Sequence, residues 1–183
     1  MRSKVSAGIL LYRLTDGSLE VLIGHPGGPF FDHRDEGYWS IPKGEVEAEE
    51  EGSPALDRDT EGGPSADQLL AVARREFAEE TGHLVPDGPV VPLGSIVQKG
   101  GKVVHAWAVE GDLDAAAARS NTFELAWPPG SGRVVIVPEL DRVAWFAPAE
   151  SRRRLKSSQI PFVDRLEAIL DDVGVPGSGS SHG

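Results

Sequence analysis

Arg74-Arg75-Glu76-Phe77-Ala78-Glu79-Glu80-Thr81-Gly82 is the stretch on which the reading of this chain turns. It closes a segment, Gln68 to Thr81, whose apolar residues recur with helical spacing: Leu69, Leu70, Val72, Ala73 and Phe77 fall on one stripe. Glu76 and Glu80 lie inside that stripe, Glu79 borders it, and Arg74, Ala71, Ala78 and Arg75 take the opposite side. Ser65 or Asp67 suits the start of such a helix, and Gly82 its end. Carboxylates on the side where a helix packs repel one another, and desolvation raises their pKa values. A hard divalent cation such as Mg²⁺ or Mn²⁺ relieves both penalties. The i, i+3, i+4 spacing brings three side chains within reach of one small cluster of ions. It is also compatible with a solvated acidic face on which Arg75 pairs with Glu79.

Outward from the helix, strands and helices mix without regular βαβ alternation, the pattern of an α+β layered domain. Lys4 to Arg13 and Leu19 to Ile23 read as strands joined by a turn at Thr15-Asp16-Gly17-Ser18. His25 to Gly37 reads as a loop, followed by the short apolar piece Tyr38 to Pro42 and then Lys43-Gly44. Val90 to Gln98 and Lys102 to Glu110 form a second expected hairpin, turning at Lys99-Gly100-Gly101. Asp112 to Gly132 reads as mostly irregular, with one helical turn around Asp114 to Arg119. Val134 to Val137 and Arg142 to Phe146 are expected strands, and Ala149 to Lys156 and Phe162 to Val173 expected helices. The expectation is one domain over residues 1–173, an acidic loop insertion at 45–66, and a flexible tail at 174–183.

The chain has 183 residues, with 29 acidic against 18 basic residues and a formal charge of −11. An acidic surface repels nucleic-acid phosphates, so no polymeric nucleic-acid partner is expected. Glu45 to Asp67 holds nine acidic residues and a single base, Arg58. Such a block reads first as a solvated loop. Zero cysteines exclude a disulfide framework, a thiolate zinc site and a cysteine nucleophile. No run approaches the roughly 18 to 20 apolar residues that span a bilayer, so no membrane partner is expected. Met1-Arg2-Ser3-Lys4 runs straight into a strand, so a cleavable signal peptide is not expected and a cytoplasmic location is. The oligomeric state is left open.

Trp39-Ser40-Ile41-Pro42-Lys43-Gly44 upstream, with Arg75, Glu76, Phe77, Glu79, Glu80 and Gly82 downstream, resembles the Nudix hydrolases. Their box reads G-x5-E-x7-R-E-U-x-E-E-x-G-U, with U a bulky apolar residue. Gly44 and Glu50 keep the first interval. Two departures stand out. Between Glu50 and Arg75 lie 24 residues, 17 more than the pattern has, and reading backward from Arg75 puts Asp67 at the glutamate position. The insertion thus splits the box and leaves that position open between Glu50 and Asp67. His83 replaces the last apolar residue.

The resemblance implies a Nudix fold, with a mixed β-sheet sandwiched between α-helices. It implies a Mg²⁺- or Mn²⁺-dependent hydrolase that cleaves a pyrophosphate linkage in a nucleoside or dinucleoside polyphosphate, with a small nucleotide-type molecule as partner. Carried over residue by residue, Glu76, Glu79 and Glu80 become metal ligands with the Gly44 carbonyl, and Arg75 orients the glutamates. Lys43 is placed to meet a phosphate. The general base comes from the box helix in some members and from a later glutamate in others; here Glu139 is preferred to Glu124. His105 on its strand, and Lys102 and Lys99 beside the hairpin turn, are further candidates for substrate contact. Trp39, Trp107 and Trp145 read as core, although a nucleobase also stacks on such rings. Arg152-Arg153-Arg154 reads as a solvated basic face. The alternative is a catalytically inactive Nudix-like nucleotide-binding or regulatory module. A third reading, an acidic interaction protein built on the Glu45 to Asp67 block, requires the helix pattern to be chance.

Overall fold

Alternation in the first strands decides the layering. In β1 (Val5–Thr15), Ala7, Ile9 and Leu11 point to one side while Leu10 and Tyr12 point to the other, and almost all are buried. A sheet apolar on both faces must be covered on both. The computed structural model describes residues 4–46 and 63–174. β1 turns into β2 (Ser18–Pro26) through Asp16 and Gly17, both at positive φ, the geometry that matches the twist of a tight hairpin. β3 (Lys43–Glu45) pairs antiparallel with the start of β1.

Helix α1 (Ala66–Thr81) starts at Ser65, whose hydroxyl accepts from the Gln68 N–H while the Gln68 side chain accepts from the Ser65 N–H. Of the two expected caps, Ser65 is the one used. Asp67 sits exposed in the first turn, where the helix dipole favours a negative charge. Gly82 ends the helix at φ 74°. Ser65→Ala is expected to cost about 1 kcal/mol, read as a fall of roughly 2–4 °C in Tm.

The expected second hairpin follows as β4 (Val90–Val97) and β5 (Val103–Glu110). A single 3₁₀ turn covers Ala115–Ala117. The mostly irregular reading of Asp112 to Gly132 holds except at Thr122–Ala126, which is a strand, β6, paired with β7 (Val134–Pro138) in a separate two-stranded sheet. Its side chains are largely exposed, so no apolar alternation marks it. β8 (Leu140–Phe146) joins the main sheet beside β2. Helices α2 (Pro148–Arg154) and α3 (Ile160–Asp172) complete the chain, separated by a 3₁₀ turn at Ser157–Gln159.

The main sheet runs β4-β5-β1-β2-β8, with β3 beside β1. β1 and β5 are parallel and the other pairs antiparallel, a mixed sheet in an α+β fold. On one face Ala7, Ile9, Leu11, Trp107 and Val109 pack against Leu69, Ala73 and Phe77 of α1. On the other, Leu10, Val104 and Ala106 pack against Phe162, Val163 and Leu166 of α3. Trp39 and Trp107 are core, as expected, and Trp145 is partly buried. Arg152, Arg153 and Arg154 are held in ion pairs with Asp35, Glu36, Glu150, Asp164 and Glu167. No helix among the described residues is long and apolar enough to cross a membrane.

Candidate active site

Lys43-Gly44-Glu45 has too little apolar character to declare itself a strand, and the sequence reads Lys43 as the residue before a loop. Pairing with the edge of β1 makes it β3: Ser6 lies opposite Glu45, Ala7 opposite Gly44 and Gly8 opposite Lys43. Glu45 therefore belongs to the sheet and not to the insertion, and the Val46 N–H donates to the Val5 carbonyl. Gly44 and Ala7 share the face that α1 covers, and Glu76 lies directly on Gly44. A Cβ at Gly44 would overlap the Glu76 carboxyl group. Gly44→Ala is thus expected to displace Glu76, lowering any activity that depends on it about tenfold or more. The overpacking cost is about 1–3 kcal/mol, read from thermal unfolding.

The other exposed edge of β3 faces Glu80. The Lys43 backbone N–H donates to Glu80 Oε2 at 3.0 Å, and Arg75 Nη2 donates to Glu76 Oε1 at 3.1 Å. Arg75 also stands 3.9 Å from Glu79, so it touches both neighbouring carboxylates. Glu76 is mostly buried, at 16% side-chain exposure, whereas Glu79 is 45% exposed. Burial pushes the Glu76 carboxyl upward and Glu80 up to about 8, with repulsion from neighbouring carboxylates adding to both. Burial also pulls Lys43 down to about 8.

Glu139 reaches this cluster through the end of α1. The Thr81 carbonyl accepts from the Arg119 N–H and the Glu79 carbonyl from the Asn121 N–H, and the Asn121 carbonyl accepts from the Glu139 N–H. The segment 119–121 that caps the helix C-terminus also anchors the backbone of Glu139, which lies between β7 and β8. Its charge bears on both Glu76 and Glu80. Glu124 sits exposed on β6.

No family model matches the chain, and no curated protein matches it in sequence. Solved structures match in shape. The NUDIX domain of Shewanella oneidensis NrtR, complexed with ADP ribose, is similar at a TM-score of 0.60 with 16% identity, over 93% of this chain and 90% of that one. The C. elegans Ap4A hydrolase in a binary complex follows at 0.57 and 16%, over 92% of this chain and 98% of that one. The chain has the Nudix fold. The MutT protein from Methanosarcina mazei Go1 is similar at 0.53 and 17% identity, over 91% and 94% of the two chains. At such identities the likeness is one of fold.

Within this Nudix fold the expected residues divide into two groups. Gly44, Arg75, Glu76, Glu79, Glu80 and Glu139 come together where α1 meets β3. Lys43, Lys102 and His105 do not gather on one side. His105 lies opposite Ala7, on the α1 face, where burial holds its imidazole below the usual range. Lys43 lies beside Gly8 on the opposite face. Lys102 bonds Glu45 at 2.9 Å, and Glu45 also has Lys4 within 3.6 Å. Lys156, which the sequence ends a helix on, stands close enough to Lys43 and Lys102 for their charges to interact. The chain reversal after α2 puts it there, and no motif in the sequence marks it. His83 is a helix-end residue, its backbone tied to the Thr81 hydroxyl. Glu50, most of the acidic insertion and nearly all of the tail lie outside the described residues.

The donor set suits a hard divalent cation: carboxylate oxygens only, two of them on groups that burial and neighbouring carboxylates push toward the protonated form, beside a glycine that leaves room for them. Among the described residues, no three His, Asp or Glu side chains are gathered as a finished metal cluster. Glu76 is turned to Arg75, Glu80 to the Lys43 N–H, and Glu79 lies half exposed beside Arg75.

Proposed function

We propose that the chain is a divalent-metal-dependent hydrolase that cleaves a pyrophosphate linkage in a nucleoside or dinucleoside polyphosphate. One observation carries the reading: the helix α1 packs carboxylates, not apolar side chains, against the glycine of β3, at a real electrostatic cost. Proteins retain such cost where chemistry needs it. In this reading Glu76, Glu79, Glu80 and the Gly44 carbonyl hold Mg²⁺ or Mn²⁺. The ion supplies neutralisation of the charge that develops on phosphoryl oxygens and acidifies water. Arg75 fixes the orientation of Glu76 and Glu79 from behind. Glu139, exposed and near both buried carboxylates, takes the proton from the attacking water. Lys43 and Lys102 draw in phosphate oxygens, and His105 contacts substrate from the other face.

The neighbours support this class of ligand, since one is a complex with ADP ribose and another is named an Ap4A hydrolase. The second reading, a nucleotide-binding or regulatory module without turnover, draws on the absence of a finished cluster among the described carboxylates. Product release from diadenosine tetraphosphate, ADP-ribose, a nucleotide sugar and common and oxidised nucleoside triphosphates, with Mg²⁺ and with EDTA, separates the two. Metal-dependent turnover of at least one compound is expected. Binding without any turnover is the result of the second reading.

A further inference from the structure

The face of the sheet opposite α1 holds, beside Lys43 and Lys102, polar groups that the proposed hydrolysis does not use. Strand register puts Ser6, Glu45 and Val104 side by side, and Val104 opposite Ile96. Val104 and Ile96 belong to the α3-side core, so Ser6, Lys43 and Glu45 face that side too. The ladder continues past β4 and β5, where the Gln98 N–H donates to the Lys102 carbonyl. Lys102 reaches Glu45 across this face. Lys156 follows Leu155, a residue of the same core, and its N–H is anchored on the Trp39 carbonyl. Three ammonium groups thus converge at one end of the sheet, in a chain of net charge −11.

Beneath them, Ser6 is fully buried, and its Oγ and the Gln98 Nε2 are buried without a hydrogen-bond partner among the described residues. Buried polar groups are normally satisfied, and an orphan implies a missing partner. The lysines and the Gln98 amide are donors and the Ser6 hydroxyl can donate, so the partner that answers all of them is an anion. Gly8 lets Lys43 lie close, since a Cβ there would stand 2.7 Å from that of Lys43. Glu45 is an acid on this face, and it is shared between Lys102 and Lys4. This cluster adjoins the carboxylates through Lys43, whose backbone N–H is the donor to Glu80.

We propose that Lys43, Lys102 and Lys156, over Ser6 and Gln98, form a subsite for a substrate phosphate beyond the two of the cleaved pyrophosphate. The inference rests on the hydrolase reading and narrows it. Chains of three or more phosphates are favoured over ADP-ribose and nucleotide sugars, whose second moiety offers no such group.

The test uses inorganic tripolyphosphate titrated into the full chain in EDTA, so that no metal contributes. Lys156→Gln is expected to weaken binding about tenfold or more, with Lys156→Arg retaining most of it. Ser6→Ala, which leaves the lysines in place, is expected to weaken it severalfold. Arg133→Gln, in the β6–β7 hairpin away from these residues, is expected to change nothing. In turnover, Lys156→Gln is expected to raise KM for a triphosphate about tenfold with kcat nearly unchanged, and to leave ADP-ribose kinetics as they were. Tripolyphosphate affinity equal in wild type and Lys156→Gln would overturn the subsite, as would equal losses for the triphosphate and ADP-ribose. Lys156-dependent tripolyphosphate binding without hydrolysis of any compound would uphold the subsite and refute the hydrolase reading; hydrolysis indifferent to Lys156 would do the reverse.

Discussion

Glu79→Gln and Glu80→Gln are each expected to lower metal-dependent hydrolysis by at least about 100-fold, with the far-UV circular dichroism of the wild type. The exchange keeps the shape of the side chain and removes the charge. Glutamine at position 80 still accepts the hydrogen bond from the Lys43 N–H, so the contact between α1 and β3 survives. At position 79 the side chain is half exposed and is not itself one of the core residues. The fold therefore has no reason to fail in either variant, and a loss of activity reports on the carboxylate itself. Retention of more than about a tenth of the activity in both would remove these residues from the chemistry.

The second large effect is in stability. Glu80, with its carboxyl pushed up to about 8 from an ordinary 4.5, holds its proton in the folded, metal-free protein where the unfolded chain has lost it. Between about pH 4.5 and 8 the folded state binds more protons, so stability falls as pH rises through that window. Lys43, pulled from 10.5 down to about 8, acts the other way above it: from about pH 8 to 10.5 the unfolded chain binds more protons and stability recovers. Metal-free protein should pass through a minimum in these two contributions near pH 8. Glu80→Gln removes the descending limb and is expected to stabilise the metal-free protein at pH 8 by on the order of 3 kcal/mol, or roughly 6–12 °C in Tm. Thermal unfolding in EDTA from pH 5 to 8 measures it. A Glu80→Gln variant no more stable than wild type at pH 8 would show that the carboxyl is not held under this strain. Mg²⁺ added to the wild type at pH 8 should give part of the same gain, because a ligand of the folded state alone stabilises it.

The residues that announce the site do so because a helix makes its geometry periodic. Glu76 and Glu80 sit on the packing side by spacing alone, and Ser65 and Gly82 mark the ends by chemistry that only caps require. The first hairpin is equally legible, since Asp16-Gly17 between two apolar runs admits few alternatives. β3 is not: three residues with a glycine and two charges become a strand only because β1 offers an edge and α1 covers it. β6 is hidden for the opposite reason, being exposed and so without a buried alternation to read. The division of Lys43 from His105 also lies beyond the sequence, because it depends on which face of the sheet each register selects. Lys156 is recruited by tertiary reversal after α2, and Ser6 and Gln98 become conspicuous only when their missing partners can be seen.

In the proposed function the carboxylate face of α1 exists to hold a divalent cation. Calorimetric titration of Mn²⁺ into the metal-free wild type at pH 8, beside Glu79→Gln and Glu80→Gln, tests it most directly. Saturable binding to the wild type is expected, weakening as pH falls below 8 because the cation must displace the Glu80 proton, and largely lost in both variants. Equal Mn²⁺ affinity in all three proteins, or none in the wild type, would contradict it.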